Sequence, residues 1–216
     1  MAGVLGKLER TRKVIVNPGQ ELPQNIYKML IGMVVPRPIA FVSTVSRDGI
    51  RNLAPFSFFT VVSANPPVIC FAPMRNSRGM MKDTLRNIEE TREFVVNVVS
   101  EEFVQQMNMC SGEYGPEIDE FEISRLTPVE SDLVAPARVA ESKASMECKL
   151  LQIVEASAQP LGGSLVLGEV LRFHMADTVM HDFRVDPDAL NAVGRMGGPT
   201  YTRTKDRFDI PRPVVK

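Results

Sequence analysis

Apolar runs rich in β-branched and aromatic residues, broken by turn signals, fill the stretch Val35 to Pro73. Ile39 to Val45 is the first run. The polar turn Arg47-Asp48-Gly49 follows, and a second run begins near Asn52 and continues through Phe56, Phe58 and Phe59 to Val62. Asp-Gly between two such runs predicts a hairpin, because glycine takes the positive φ that the turn demands. After Asn65-Pro66-Pro67 comes a third run, Val68 to Ala72. The pattern predicts a three-stranded meander with one interruption, Asn52 to Ser57. Pro55 lies inside that interruption. Proline cannot donate to a strand ladder, so it belongs on an edge or at a bulge. A bulge there frees backbone groups to face a ligand, but by pattern alone an ordinary bulge at a barrel corner is the favoured account.

Downstream, Met81, Leu85 and Ile88 recur at helical spacing and predict a helix with one face packed on the sheet. Glu93 to Val99 reads as a strand. Ser100 opens a second helix whose buried face is Phe103, Met107 and Cys110, with Glu101 and Glu102 in the first turn. Gly112 to Pro116 ends it. Leu126 to Ser142 is a connector. Ala144 to Ala156 and Leu165 to Met175 form a second hairpin around Pro160 to Ser164. Lys13 to Val16 predicts a short strand, Tyr27 to Leu30 a single helical turn, and Asp186 to Leu190 a short helix.

Composition narrows the class. A chain of 216 residues with 44% hydrophobic and 24% charged content is ordinary for one soluble domain with a sizeable core. The formal net charge of -1 offers no field for nucleic acid or an anionic membrane. No stretch reaches the roughly 18 apolar residues of a membrane span. The N-terminus places charges after a short apolar start, the reverse of a signal peptide, so a cytoplasmic protein is expected. Three widely spaced cysteines, Cys70, Cys110 and Cys148, argue against a disulfide framework or a zinc site, and buried inert thiols are expected.

Several residues carry candidate chemistry. Arg37, between Pro36 and Pro38, is held extended, where its guanidinium can meet a phosphate or carboxylate or simply lie in solvent. Arg75, Ser77, Arg78, Lys82 and Thr84 surround the start of the first helix. Free N–H groups and the positive dipole end make that start an anion site, although a capped helix with a solvated basic end reads the same. Glu117, Asp119, Glu120 and Glu122 read as a solvated acidic loop. Glu147 and Glu169 sit in apolar strands and can point outward by alternation. His174 is a lone strand histidine, most often structural, and His181 reads as surface; with no third ligand the two make no metal site. Gly194, Gly197 and Gly198 around Arg195 let backbone pass close to a ligand, and Tyr201 can stack on a planar ring.

Taken together, Pro36-Arg37-Pro38-Ile39-Ala40, Ser43-Thr44, Asn52-Leu53-Ala54-Pro55-Phe56-Ser57 and Pro66-Pro67 resemble the flavin reductase-like family, which includes flavoredoxins and the reductase components of two-component monooxygenases. The resemblance covers roughly Tyr27 to Arg203. It implies a mainly β fold, a Greek-key split β-barrel of six or seven strands that binds FMN, with two helices packed outside. It implies residues 1–26 as an N-terminal extension, 27–185 as the barrel domain, and 186–216 as a C-terminal segment completing the flavin pocket and dimer contacts. Non-covalent FMN is expected to contact Arg37, Pro38, Ser43, Thr44 and Asn52 to Ser57. Its phosphate is expected near Ser77, Arg78, Lys82, Asp83 and Thr84. The pattern Gly194-Arg195-Met196-Gly197-Gly198-Pro199-Thr200-Tyr201 resembles a segment beside the flavin and adds Arg195, Gly197, Gly198 and Tyr201. His174, on a strand resembling one that edges the pocket, becomes the candidate catalytic proton donor. The resemblance further implies a homodimer, NADH or NADPH as a transient hydride donor, and a monooxygenase or other electron acceptor as partner. No G-x-G-x-x-G fingerprint is present, so the nicotinamide would bind without a Rossmann domain. Two other readings stand beside this one: an FMN electron carrier without nicotinamide activity, and a pocket for another planar ligand such as haem or a pterin.

Overall fold

The structure is a computed structural model and describes residues 12–215. The charged start on which the reading of the N-terminus rests, residues 1–11, lies outside them, as does Lys216. The protein is mainly β. Seven strands form one antiparallel sheet: β1 (Ala40–Val45), β2 (Arg51–Phe56), β3 (Phe59–Ala64), β4 (Pro67–Phe71), β5 (Glu93–Val98), β6 (Ala144–Glu155) and β7 (Ser164–Met175). Their spatial order is β2-β1-β5-β6-β7-β4-β3.

That order corrects the expected meander. The run from Asn52 to Val62 is two strands, not one, and they end on opposite edges of the sheet. The chain leaves the sheet at Ser57-Phe58 and re-enters it at the opposite edge, six strands away. β2 and β3 are not hydrogen-bonded to each other, so no ladder closes the sheet into a barrel. Pro55 is tolerated because β2 is an edge strand. The register of β1 with β2 runs unbroken from Ala40↔Phe56 to Val45↔Arg51, so the bulge expected there is absent.

Period-two alternation buries both faces of β1. Ala40 and Val42 face a core with Phe71, Phe94, Cys148 and Val166, into which helix α2 sets Leu85 and Ile88. Ile39 and Phe41 face a second core with Phe103, Met107 and Phe121. Burying each large side chain contributes about 1.5–3 kcal/mol, so the two cores together outweigh the poor β-propensity of the Asn-Leu-Ala-Pro segment. Gly168 is required by the first core, since a Cβ there would lie 2.3 Å from the Phe94 ring.

The helices are α1 (Pro23–Met33), α2 (Asp83–Thr91), α3 (Val104–Met109), α4 (Glu120–Ser124) and α5 (Pro187–Leu190). α1 is longer than the single turn expected; Pro23 pre-sets its first turn. Lys13 to Val16 is unpaired. Phe103, Met107 and Cys110 are buried as their spacing predicts. The C-terminal segment is ordered as a two-stranded ribbon of β8 (Val193–Arg195) and β9 (Tyr201–Arg203). No helix among the described residues is long and apolar enough to cross a membrane.

Candidate functional site

A cleft of about 230 Å³ lies where the edge strand β2 meets the N-terminus of α2. Asn52, Ala54, Pro55 and Phe56 form one wall. Arg78, Lys82, Asp83 and Thr84 form the second, and the loop 110–115 after α3 forms the third. The fold thus brings together the two stretches singled out for ring and phosphate, which are separated by about one strand pair in sequence.

The basic wall is built locally. The Asn76 side chain accepts from the N–H groups of Arg78 (3.0 Å) and Met80 (2.9 Å). Gly79 takes φ +80°, which a residue with a Cβ adopts only with strain. Lys82 precedes α2 as its N-cap, and no side chain caps the helix. The leading N–H groups of α2 are therefore left for water or an anion. Arg78 leans across the mouth towards Glu113 (3.7 Å), with both side chains exposed. Arg75 is committed elsewhere: it donates to Gly79 O (3.2 Å) and pairs with Glu155 (3.1 Å). Ser77 is exposed beside the cleft and does not line it.

Behind the cleft runs a buried polar chain that begins at Glu120. Its carboxylate accepts from Asn52 Nδ2 (2.9 and 3.0 Å) and from the Leu53 N–H (2.9 Å). An ionised carboxylate only accepts, so the Asn52 amino group must face it and Oδ1 must face away. Oδ1 then accepts from Thr84 Oγ1 (2.7 Å) and Thr44 Oγ1 (3.3 Å), and Thr44 in turn accepts from Asn87 Nδ2 (3.0 Å). The Thr84 proton is spent on Asn52, which leaves Thr84 with acceptor lone pairs only. Its hydroxyl supplies no donor to a phosphate, contrary to the expectation from sequence. Glu120 is 6% exposed, not part of the solvated acidic loop that the sequence suggests. Burial pushes its carboxyl above the usual range, against the opposing hydrogen bonds from Leu53 and Asn52. Only its place directly before the apolar Phe121 hinted at this, since Glu120, Phe121 and Ser124 share the buried side of α4. Asp119 pairs with Arg51 at 2.6 Å.

Other predicted residues lie elsewhere. Arg37 is buried, and its guanidinium donates to Ile31 O and Val34 O (both 2.6 Å), Met196 O (2.9 Å) and Ser57 Oγ (3.2 Å). It braces the end of α1 against the C-terminal ribbon, neither solvated nor free for an anion. Ser57 is occupied by the same contact. Leu53 belongs to the second core, Pro38 is exposed, and Ser43 is buried with its hydroxyl on Ala137 O. Arg195 and Tyr201 line a separate cleft against α3; Gly197 packs on Gly32, and Gly198 is exposed.

His174 needs correction as the candidate proton donor to the cleft. It pairs with Ser145 across the sheet, on the face opposite the Phe94 core, and does not line the cleft of Asn52 and Thr84. Its Nε2 is hydrogen-bonded to Glu147 Oε1 at 2.5 Å. Glu147 is fully buried rather than outward-pointing, and it accepts from the N–H groups of Asp132 (2.8 Å) and Leu133 (2.7 Å). Asp132, Glu147 and His174 form a compact group, but Arg172 already pairs with Asp132 at 2.6 Å. His181 is exposed, as expected. Cys110 and Cys148 are buried as expected and Cys70 is half-buried; burial pushes Cys110, at the edge of the cleft, up to about 11, and raises Cys70 and Cys148 as well.

Comparison with known proteins agrees with this architecture. The model of the Flavin reductase like domain matches residues 32–187. A protein of Aquifex aeolicus (strain VF5) is 41% identical over 179 residues, 82% of this chain and 89% of that one. Among solved structures, nitrilotriacetate monooxygenase component B from Bacillus cereus is 33% identical, with a TM-score of 0.88 over 93% of this chain and 100% of that one. The 2-nitrobenzoate 2-nitroreductase NbaA of Pseudomonas fluorescens is 31% identical, with a TM-score of 0.83 over 93% and 96%. A domain match over most of the chain makes this protein a member of the flavin reductase like domain family.

Proposed function

We propose that the protein is an FMN-binding oxidoreductase that takes hydride from NADH or NADPH and passes electrons to an acceptor or a partner enzyme. The observation that carries this reading is the first cleft, in which an uncapped helix N-terminus and the basic side chains of Arg78 and Lys82 face a strand wall. Those donors fit a phosphate, and a wall of Ala54, Pro55 and Phe56 fits the apolar body of a planar ring. Arg78, Lys82 and the first N–H groups of α2 would hold the phosphate. When bound, the flavin supplies the two-electron redox chemistry. The chain's part is to bind, orient and shield. Asn52, fixed by Glu120, holds Thr84 and the strand wall in register with the helix end.

Strands β6 and β7 expose Val154, Leu165, Leu171 and Phe173, and the tail exposes Phe208 and Ile210. Apolar patches of this kind fit a second subunit, which supports the reading of a homodimer with the tail laid on the partner. A monooxygenase component is the partner class suggested by the Bacillus cereus neighbour.

The test is an anaerobic absorption spectrum of protein reconstituted with FMN, before and after NADH and then NADPH. Loss of the flavin band within seconds is the expected result. Bound flavin that stays oxidised would overturn the nicotinamide step and leave an electron carrier. Absence of any flavin band would overturn the cofactor itself.

A further inference from the structure

The second cleft, of about 400 Å³, lies between α3 and the C-terminal ribbon, and its chemistry differs from that of the first. The Arg195 guanidinium sits 4.4 Å from the centre of the Tyr201 ring. Stacking of this kind fixes the plane of an arginine while leaving its N–H edge open. Among the described residues no protein acceptor takes an Arg195 side-chain hydrogen bond, and no carboxylate pairs with it. The one carboxylate in the cleft, Glu101, is already matched by Arg203 at 2.6 Å. Two guanidiniums against one carboxylate leave a net positive charge. Tyr201 is itself anchored, since its hydroxyl donates to Asn108 Oδ1 at 3.1 Å. Val104, Val193 and Pro199 supply an apolar floor. Arg195 is half-buried, and its N–H edge is left to water or to a charged ligand that can bond it more strongly. Here the acceptor is missing and the space beside it is open.

We infer that this cleft is a second ligand site for a flat small molecule carrying one oxyanion, with the oxyanion on Arg195 and the ring against Val104, Val193 and Pro199. The chemistry suits an aromatic carboxylate, and it suits equally the phosphate-bearing half of a nucleotide. The inference does not rest on flavin chemistry. It assigns Arg195 and Tyr201 to a site separate from the cleft of Asn52 and Thr84.

The experiment is calorimetric titration of the purified protein, alone and loaded with FMN, with benzoate, NADH, NADPH and inorganic phosphate. Each is repeated with Arg195→Gln and Arg195→Lys, and thermal melting confirms that the variants are folded. The expected result is binding of benzoate or of a nucleotide that weakens about ten- to a hundredfold in Arg195→Gln, as for loss of one charge-assisted pair, and recovers in part in Arg195→Lys. FMN affinity stays within twofold. Benzoate against nucleotide decides the source of the oxyanion. Equal weakening of FMN would place Arg195 in the flavin site and overturn the proposal. So would binding of phosphate alone, which needs no flat body, or a wild-type protein that binds none of the four. If both variants melt early, Tyr201→Phe, which keeps the stack and loses only the Asn108 contact, must retain ligand binding; its loss counts against the proposal.

Discussion

Two buried carboxylates, one beside the free edge of β2 and one within β6, are shifted in opposite directions. Glu120 closes the back of the cleft and Glu147 lies under the loop that follows Val129; they are 6% and 0% exposed. Glu120 is raised above the usual carboxylate range and Glu147 is lowered below it. Burial opposes the charge in both. Around Glu120 the donors are neutral, one backbone N–H and one amide, and Asp119 adds a second negative charge nearby. Around Glu147, the Asp132 N–H, the His174 ring and the Leu133 N–H together outweigh burial. The difference teaches that accessible area alone does not predict the state of a buried acid. The number of donors, and whether one of them can carry charge, decides it.

The largest expected effect comes from deleting the better-served acid. Glu147→Ala strands two backbone N–H groups and His174, and it should cost about 3–5 kcal/mol in a urea melt. A loss under about 1 kcal/mol would remove Glu147 as the anchor of that loop. Glu120→Gln should cost far less, within about 1 kcal/mol, because it removes a charge that the site holds poorly. Its consequence is chemical. A flip of Asn52 that satisfies the new amino group sets Asn52 Nδ2 against Thr84 and turns the Thr84 proton towards the cleft. Phosphate-ester affinity there should rise or hold while that of Thr84→Val, which lacks the hydroxyl, does not follow. Equal responses from both variants would break the hydrogen-bond polarity argued for the chain.

The smallest effect is in the pH profile, and its sign separates the two acids. Glu147 is lowered on folding, so it contributes stability that is present above its unfolded pKa and is lost as pH falls through its folded one. Glu120 is raised, so the folded state holds its proton more tightly, and stability falls as pH climbs from the unfolded to the folded value. Glu147→Gln should flatten the acid limb of stability against pH, and Glu120→Gln should remove a decline just above the ordinary carboxylate range. Denaturant midpoints measured between about pH 3 and pH 7 check both signs. The same slope change in both variants would abolish the contrast.

Much of the molecule was legible along the chain. The hairpin at Asp48-Gly49, the hairpin of β6 and β7, the buried face of α3 and the basic turn before α2 all follow from spacing within a dozen residues. The split of one apolar run at Ser57 was not legible, because Phe56 and Phe59 read alike whichever edge of the sheet they reach. The burial of Glu120 was not legible either, since its partner Asn52 is 68 residues away. His174 kept its strand and lost its expected cleft, because alternation fixes which neighbours share a face but not what lies over that face.

By itself, the sequence determined the β-rich class, the family and the two stretches that wall the first cleft. Local periodicity and turn chemistry act over a few residues and leave marks in composition. Tertiary structure alone decided that Arg37 is a brace, that the Thr84 proton is spent, and that Arg195 stands unpaired over Tyr201. Each of those depends on which distant group takes a hydrogen bond. A donor's type is written in the sequence, but its acceptor is settled only when the chain has folded.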